Sequence, residues 1–188
     1  MKRFTSDLHF FHKNICKFTD RHRVTNPDDH AEWLINIWNR DVAPGDEVYH
    51  LGDFAFSSKY EQVRDVVKQL NGNITFIKGN HCDARVMRQL VNDGHINAFY
   101  DYREIKVGDQ SVVLFHFPIM AWHKQGYGAW HLHGHCHGNL QQPQGKMLDV
   151  GLDNSYNLFG MHRIFSELDV FNYMARQELV ITDHHKER

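Results

Sequence analysis

Five short blocks carry side chains of the types that hold divalent metals: Asp7-Leu8-His9, Gly52-Asp53, Gly79-Asn80-His81, a lone His116, and Gly134-His135-Cys136-His137. Carboxylate, amide and imidazole groups are the oxygen and nitrogen donors that suit transition ions. Histidine is the commonest such donor near neutral pH, and this chain of 188 residues contains 16. Not all belong to a site: His22, His30, His95, His184 and His185 lie in polar stretches and are expected at the surface. Residues at i and i+2 on an extended segment project to the same side. Asp7 with His9, and His135 with His137, are therefore each expected to offer two donor atoms to one centre. Gly52, Gly79 and Gly134 are expected to let the backbone turn sharply beside it.

These blocks need elements to carry them, and each follows a predicted strand, the place where α/β enzymes put their sites. The expected strands are Arg3 to Leu8, Glu47 to Leu51, Ile74 to Lys78, Ser111 to Phe117, and one from Ala129 that delivers His131, His133, His135 and His137 at alternating positions. Tyr100 to Val107 pairs with Ser111 to Phe117 across Gly108-Asp109 as a hairpin. Met147 to Gly151 makes a further strand. Helices alternate with these. Asn26-Pro27-Asp28-Asp29 starts one that runs to about Arg40 with an apolar stripe of Ala31, Leu34, Ile35 and Trp38. Ser58 caps a second, with stripe Tyr60, Val63, Val66, Val67 and Leu70, ended by Asn71-Gly72. Asp83 caps a third, stopped by Asn92-Asp93-Gly94, and Ser166-Glu167-Leu168-Asp169 is a capping box for a last helix to about Gln177. Alternation of this kind implies a layered α/β or α+β architecture.

Composition narrows the class without fixing it. With 41% apolar and 23% charged residues the chain reads as globular, and its length suits one domain over residues 1–188. No apolar run approaches a bilayer's thickness, and Met1-Lys2-Arg3-Phe4-Thr5-Ser6-Asp7 lacks a secretory profile, so a cytoplasmic location is expected. Cys16, Cys82 and Cys136 are expected as free thiols. A net charge of −2 gives no global footprint for nucleic acid.

Taken in order along the chain, the five blocks resemble the pattern D-x-H, G-D, G-N-H, H and G-H-x-H of the calcineurin-like metallophosphoesterase superfamily. The resemblance runs from Asp7 to His137. It implies a four-layer αββα sandwich of two mixed sheets flanked by helices, with the metal site at the strand ends. Carried over residue by residue, it implies Asp7, His9 and His137 on one metal, Asn80, His116 and His135 on the other, and Asp53 bridging both. A shared carboxylate holds two ions roughly 3.5–4 Å apart and offsets part of their repulsion. The nitrogen and oxygen donor set suits manganese first, with iron, zinc or nickel also admitted. His81 matches the family histidine that protonates the leaving group or stabilises the transition state, so its role is catalytic. Two positions depart from the pattern: Cys82 stands where a carboxylate is frequent, and Cys136 where Ser or Thr is commoner.

The resemblance implies hydrolysis of phosphate esters by a hydroxide generated between the metals. A small phosphodiesterase or phosphatase on nucleotide-like substrates is expected, with a phosphorylated small molecule or nucleotide as partner and no membrane. Two alternatives stand beside it: a nuclease, and a non-catalytic metal-binding scaffold of the same fold. The complete ligand set disfavours the scaffold. His12 and Asn14 are weaker candidates for the substrate pocket. His50, His131 and His133 are expected mainly as packed residues, and His123 and Lys124 as part of a loop near His116. Trp33 and Trp38 belong to the core.

Overall fold

A computed structural model describes residues 1–19, 21, 27–141 and 145–182. Two sheets form its centre. The first runs β4-β3-β2-β1-β9, from β1 (Lys2–Thr5), β2 (Glu47–His50), β3 (Asn73–Ile77), β4 (Ala98–Tyr100) and β9 (Phe165–Ser166); β1 to β4 are parallel and β9 antiparallel. The second runs β5-β6-β7-β8, from β5 (Arg103–Val107), β6 (Gln110–Leu114), β7 (Trp130–His133) and β8 (Met147–Asp149), with only β5 antiparallel.

Strand alternation explains the layers. After the single-turn α1 (Ile15–Phe18), the longer helices cover the first sheet: on β3, Ile74 and Phe76 face outward to α2 (Pro27–Asp41), α3 (Tyr60–Val67) and α4 (Ala84–Asn92), where Leu34, Trp38, Val63, Val67, Val86 and Leu90 complete one cluster. Ile77 joins Phe4, Val112, Leu114, Leu132 and Phe165 in a second cluster that includes side chains of both sheets, and α6 (Glu167–Met174) adds Val170 and Met174 to it. Each buried aliphatic or aromatic side chain here contributes about 1.5–3 kcal/mol of transfer free energy. Val113 and Met147 point the other way, beneath Trp122 and Ala129. The architecture is the αββα sandwich of two mixed sheets flanked by helices. Among the described residues, no helix is long and apolar enough to cross a membrane.

Several local expectations need correction. Tyr100 ends β4 in the first sheet, and the hairpin begins only at Arg103, because the chain changes sheets at Asp101-Tyr102. Lys59 occupies the N-cap of α3 without a side-chain bond, while the Ser58 hydroxyl serves Asp83. That helix ends at Val67, a turn before Asn71-Gly72. Asp83 does cap α4, accepting from the Arg85 and Val86 amides, and Ser166 with Asp169 forms the capping box of α6. The Asn26 cap, His22, His184 and His185 lie outside the described residues. His30, expected at the surface, is 1% exposed, stacked on Trp33.

Candidate metal centre

Asp7, Asp53 and Asn80 follow the C-terminal ends of the parallel strands β1, β2 and β3, and His116 and His135 follow those of β6 and β7. Pairing continues past the first sheet. The amides of Asp7, His9 and Phe10 donate to the carbonyls of Gly52, Asp53 and Phe54 at 3.0, 3.0 and 2.8 Å, so two blocks are zipped together before any metal is considered.

The expected reason for the i, i+2 pairs is wrong. β1 ends at Thr5 and β7 at His133, and Asp7, His9, His135 and His137 all take left-handed backbone conformations, with φ of 58°, 54°, 69° and 49°. Asp53 does too, at 55°. Curled backbone, not extended strand, gathers these side chains. Among residues other than glycine, Asp, Asn and His are the types that best tolerate this region. The glycines need the same refinement. Only Gly52, at φ 104°, uses the left-handed freedom. Gly79 and Gly134 are there for close approach: a Cβ would collide with the Asp53 carboxylate at the first and with Ser6 and Asp7 at the second.

The two aspartates are held alike. Asp7 Oδ2 accepts the His135 amide at 2.8 Å, and Asp53 Oδ1 accepts the His81 amide at 2.8 Å. The other oxygens turn inward. Asp7 Oδ1 lies 3.7 Å from His9 Nε2 and 3.9 Å from His137 Nε2. Asp53 Oδ2 lies 3.9 Å from His9 Nε2 and 3.6 Å from His116 Nε2. Donor atoms of Asp7, His9 and His137 lie within 4.8 Å of one another, as do those of Asp7, Asp53 and His116. On the second side, Asn80 Oδ1 sits 2.9 Å from His116 Nε2 and 3.0 Å from His135 Nδ1.

This arrangement fits bound cations. Asp7 Oδ1 and both ring nitrogens of His9 are buried with no hydrogen-bond partner, which is costly unless something positive satisfies them. His116 Nδ1 donates to the Leu51 carbonyl at 2.7 Å, so in the neutral ring Nε2 carries a lone pair aimed at the Asn80 oxygen. Two acceptors face each other there, and a cation resolves the conflict. The charge pattern agrees. Burial works to raise the Asp7 carboxyl, but the His9 ring 3.7 Å away and the charges of His137 and His116 hold it well below the usual range.

Sequence reasoning missed the residues behind His137. Asp153, in the first turn of α5 (Leu152–Phe159), accepts from His137 Nδ1 at 2.6 Å, which leaves Nε2 facing Asp7. Arg21, 1% exposed, donates to both Asp153 oxygens at 2.8 and 2.9 Å and to the carbonyls of Leu8 and Asp7 at 2.8 and 2.6 Å. One guanidinium thus ties the Asp7-Leu8-His9 turn to the carboxylate that orients His137. Ligating histidines commonly have such a carboxylate behind them, but nothing in the sequence singles out Asp153.

Other candidates divide clearly. The exposed His81 ring lies 5.9 Å from His9 and 5.3 Å from Phe56, and Asp83 is engaged with Arg85 and the α4 cap, so it does not orient that ring. His12 lies 5.8 Å from His9, and its Nδ1 accepts the Asn14 amide. His50 packs among Trp38, Phe54 and Phe76, and burial pushes it down to about 3. His131 reaches the Val113 and Phe117 carbonyls, away from the centre. The His133 ring sits 5.4 Å from His131, and its Nδ1 lies 2.9 Å from the Gly134 carbonyl. His123 pairs with Glu104 at 2.8 Å. Burial raises the Cys82 thiol and, with Asp149 and Asp7, pushes Cys136 up to about 11, which favours the thiol over the thiolate in both.

No family model matches the chain. A protein of unknown function, AQ665 from Aquifex aeolicus, shares the fold at a TM-score of 0.70 and 21% identity, over 92% of this chain and 98% of that one. An archaeal phosphodiesterase superposes more loosely, at 0.49 and 20% identity, over 87% and 90% of the two chains. At that level of likeness only this chain's own residues speak to its chemistry. The uncharacterized protein MJ1445 of Methanocaldococcus jannaschii is 33% identical over 156 residues, 79% of each chain, and this protein belongs to the same family.

Proposed function

We propose that this chain hydrolyses phosphate esters at a two-metal centre, as a small phosphodiesterase or phosphatase for nucleotide-like substrates. The observation that carries the reading is the pair of donor clusters, Asp7 with His9 and His137 and Asp7 with Asp53 and His116, with Asp53 Oδ2 3.9 Å from His9 and 3.6 Å from His116, beside buried donor atoms with no protein partner. Asp7, His9 and His137 would hold one ion, Asn80, His116 and His135 the other, with Asp53 shared. When bound, the ions would supply positive charge for the phosphoryl oxygens and a water that ionises near neutral pH. Manganese suits the donors best, ahead of iron, zinc or nickel.

The chain's own groups do the rest. Arg21 and Asp153 fix the His137 ring so that one nitrogen always faces the centre. The His81 ring, exposed beside His9, would stabilise the transition state or deliver a proton to the departing oxygen. Its backbone amide at the same time locks the Asp53 carboxylate. A cavity of about 280 Å³ opens beside His137 between Lys17, Thr19, Asn139 and Asn157, room for the polar flank of a substrate.

The test is a metal-by-substrate panel: monoesters, aryl diesters, cyclic nucleotides, dinucleoside polyphosphates and single-stranded nucleic acid, each with Mn²⁺, Ni²⁺, Zn²⁺ and Fe²⁺. Two metal equivalents per chain and turnover of small esters are expected. Asp53→Asn should lose metal, and His81→Ala should keep both ions while turning over slowly. No hydrolysis with any pair would favour the scaffold, cleavage of nucleic acid alone the nuclease, and metal loss in His81→Ala would undo the division of roles.

A further inference from the structure

Two partly exposed phenylalanines stand at the rim of this centre, one against each half. Phe56 is 51% exposed, with its ring 5.3 Å from His81 and 4.8 Å from His12, and both of those histidines flank His9. Phe117 is 36% exposed, with its ring 4.7 Å from His135 and 4.9 Å from His116. Leaving such rings open to water beside a polar, acidic site forgoes the burial that usually places phenylalanine inside.

Their backbones are pinned. The Phe56 amide donates to the Phe10 carbonyl at 2.8 Å, continuing the zipper beside Asp7-Leu8-His9. The Phe117 carbonyl lies 3.2 Å from the buried His131 Nε2. With both backbones fixed, a flat ligand that stacks on the rings has mainly their side-chain rotamers left to order. An aromatic face accepts any base by stacking, without hydrogen-bond readout.

We propose that Phe56 and Phe117 form an aromatic subsite that takes the planar ring of the substrate's organic group, so that nucleoside phosphates are selected over alkyl and sugar phosphates. The proposal rests on the phosphoesterase reading for the site of the phosphate and adds what holds the remainder. Phe56 against His81 would set one ring plane beside the proposed proton donor.

The experiment measures equilibrium binding of adenosine 5′-monophosphate and of inorganic phosphate to the Mn²⁺-loaded chain by calorimetry, in wild type, Phe56→Ala, Phe117→Ala, Phe56→Tyr and Phe117→Tyr. Wild type should bind the nucleotide at least about tenfold tighter than phosphate. Each alanine variant should lose roughly tenfold for the nucleotide, within the range of one base–aromatic stack, and less than about twofold for phosphate. The tyrosine variants keep a π face and should restore nucleotide affinity. Equal losses for both ligands, or no loss for the nucleotide, would overturn the subsite. The outcomes separate from those above: ester hydrolysis without nucleotide preference removes the subsite and leaves the phosphoesterase, whereas ring-dependent nucleotide binding without hydrolysis does the reverse.

Discussion

Asp153→Asn is the sharpest test of how the centre is built. The wild-type carboxylate stands between two groups: His137 Nδ1 at 2.6 Å and the Arg21 guanidinium at 2.8 and 2.9 Å, with side-chain exposure of 7% for Asp153 and none for Arg21. Asparagine keeps the volume and one acceptor but removes the charge. Arg21 is then a buried cation with no carboxylate partner, and breaking a buried pair from one side costs about 3–5 kcal/mol. Arg21→Met makes the complementary break and also strands the Leu8 and Asp7 carbonyls, adding about 1–3 kcal/mol. In the double variant no uncompensated charge remains, so only the carbonyl cost persists. The double variant should therefore lose much less stability than the sum of the two single losses, because both one-sided penalties cancel, read from urea unfolding of the metal-free chains. Metal affinity should behave differently. His137 loses its charged acceptor in Asp153→Asn and in the double variant alike, so both should bind metal about 10–100-fold more weakly in a competition titration. Additive destabilisation would refute the charge argument. Unchanged metal affinity in Asp153→Asn would refute the orienting role of Asp153.

Three further expectations follow from the same geometry. Gly79→Ala drives a Cβ into Asp53 and should cost about 1–3 kcal/mol with loss of metal, whereas Gly45→Ala, with nothing within 4 Å, should be near neutral by the same unfolding assay. Metal at about 100 times its Kd should add about 2.7 kcal/mol and raise Tm by roughly 5–10 °C in a thermal scan, reversed by a chelator. Asp46 is buried, which works to raise its carboxyl, but the Ala43 amide and Arg3 at 2.9 Å hold it below the usual 3.8. A depressed carboxylate stabilises above its unfolded pKa and loses that contribution as pH falls through the folded value. Asp46→Asn should therefore be less stable than wild type at pH 7, and the gap should close below about pH 4.

The layered fold and the strand-end position of all five blocks were legible because both follow from period-two alternation and turn chemistry, which are local. Asp83 and Ser166 announce their helices for the same reason: a cap bonds amides two or three residues away. What escaped was non-local. The change of sheet at Asp101-Tyr102 depends on which strand Tyr100 pairs with, and β3 lies far from β6 in sequence. Arg21 and Asp153 are separated by 132 residues, and each stands in a stretch with no marking of its own. His30 looked solvated by its neighbours, yet it is buried under Arg21, 3.4 Å from the guanidinium.

The left-handed residues bear on why the proposed site residues stand out in the sequence. Five of the proposed site residues, Asp7, His9, Asp53, His135 and His137, occupy a region that costs roughly 1–2 kcal/mol each for L-residues. A fold seeking stability alone would place glycine there, and in this chain glycine stands immediately before two of the five, at 52 and 134. Strain of this kind concentrates at functional sites, and among the described residues five of the seven non-glycine positions with positive φ are these proposed site residues. Aspartate and histidine meet both demands, as metal donors and as types tolerant of the left-handed region. The pattern Asp-x-His or Gly-His-x-His is therefore both a list of candidate donors and a backbone instruction. The zipper from Asp7 to Phe10 and the Arg21 clamp on the Asp7 and Leu8 carbonyls oppose the strain before any ion binds. Bound metal would offset the remainder by satisfying Asp7 Oδ1 and the His9 ring, so the site's conformation and its occupancy are energetically one problem.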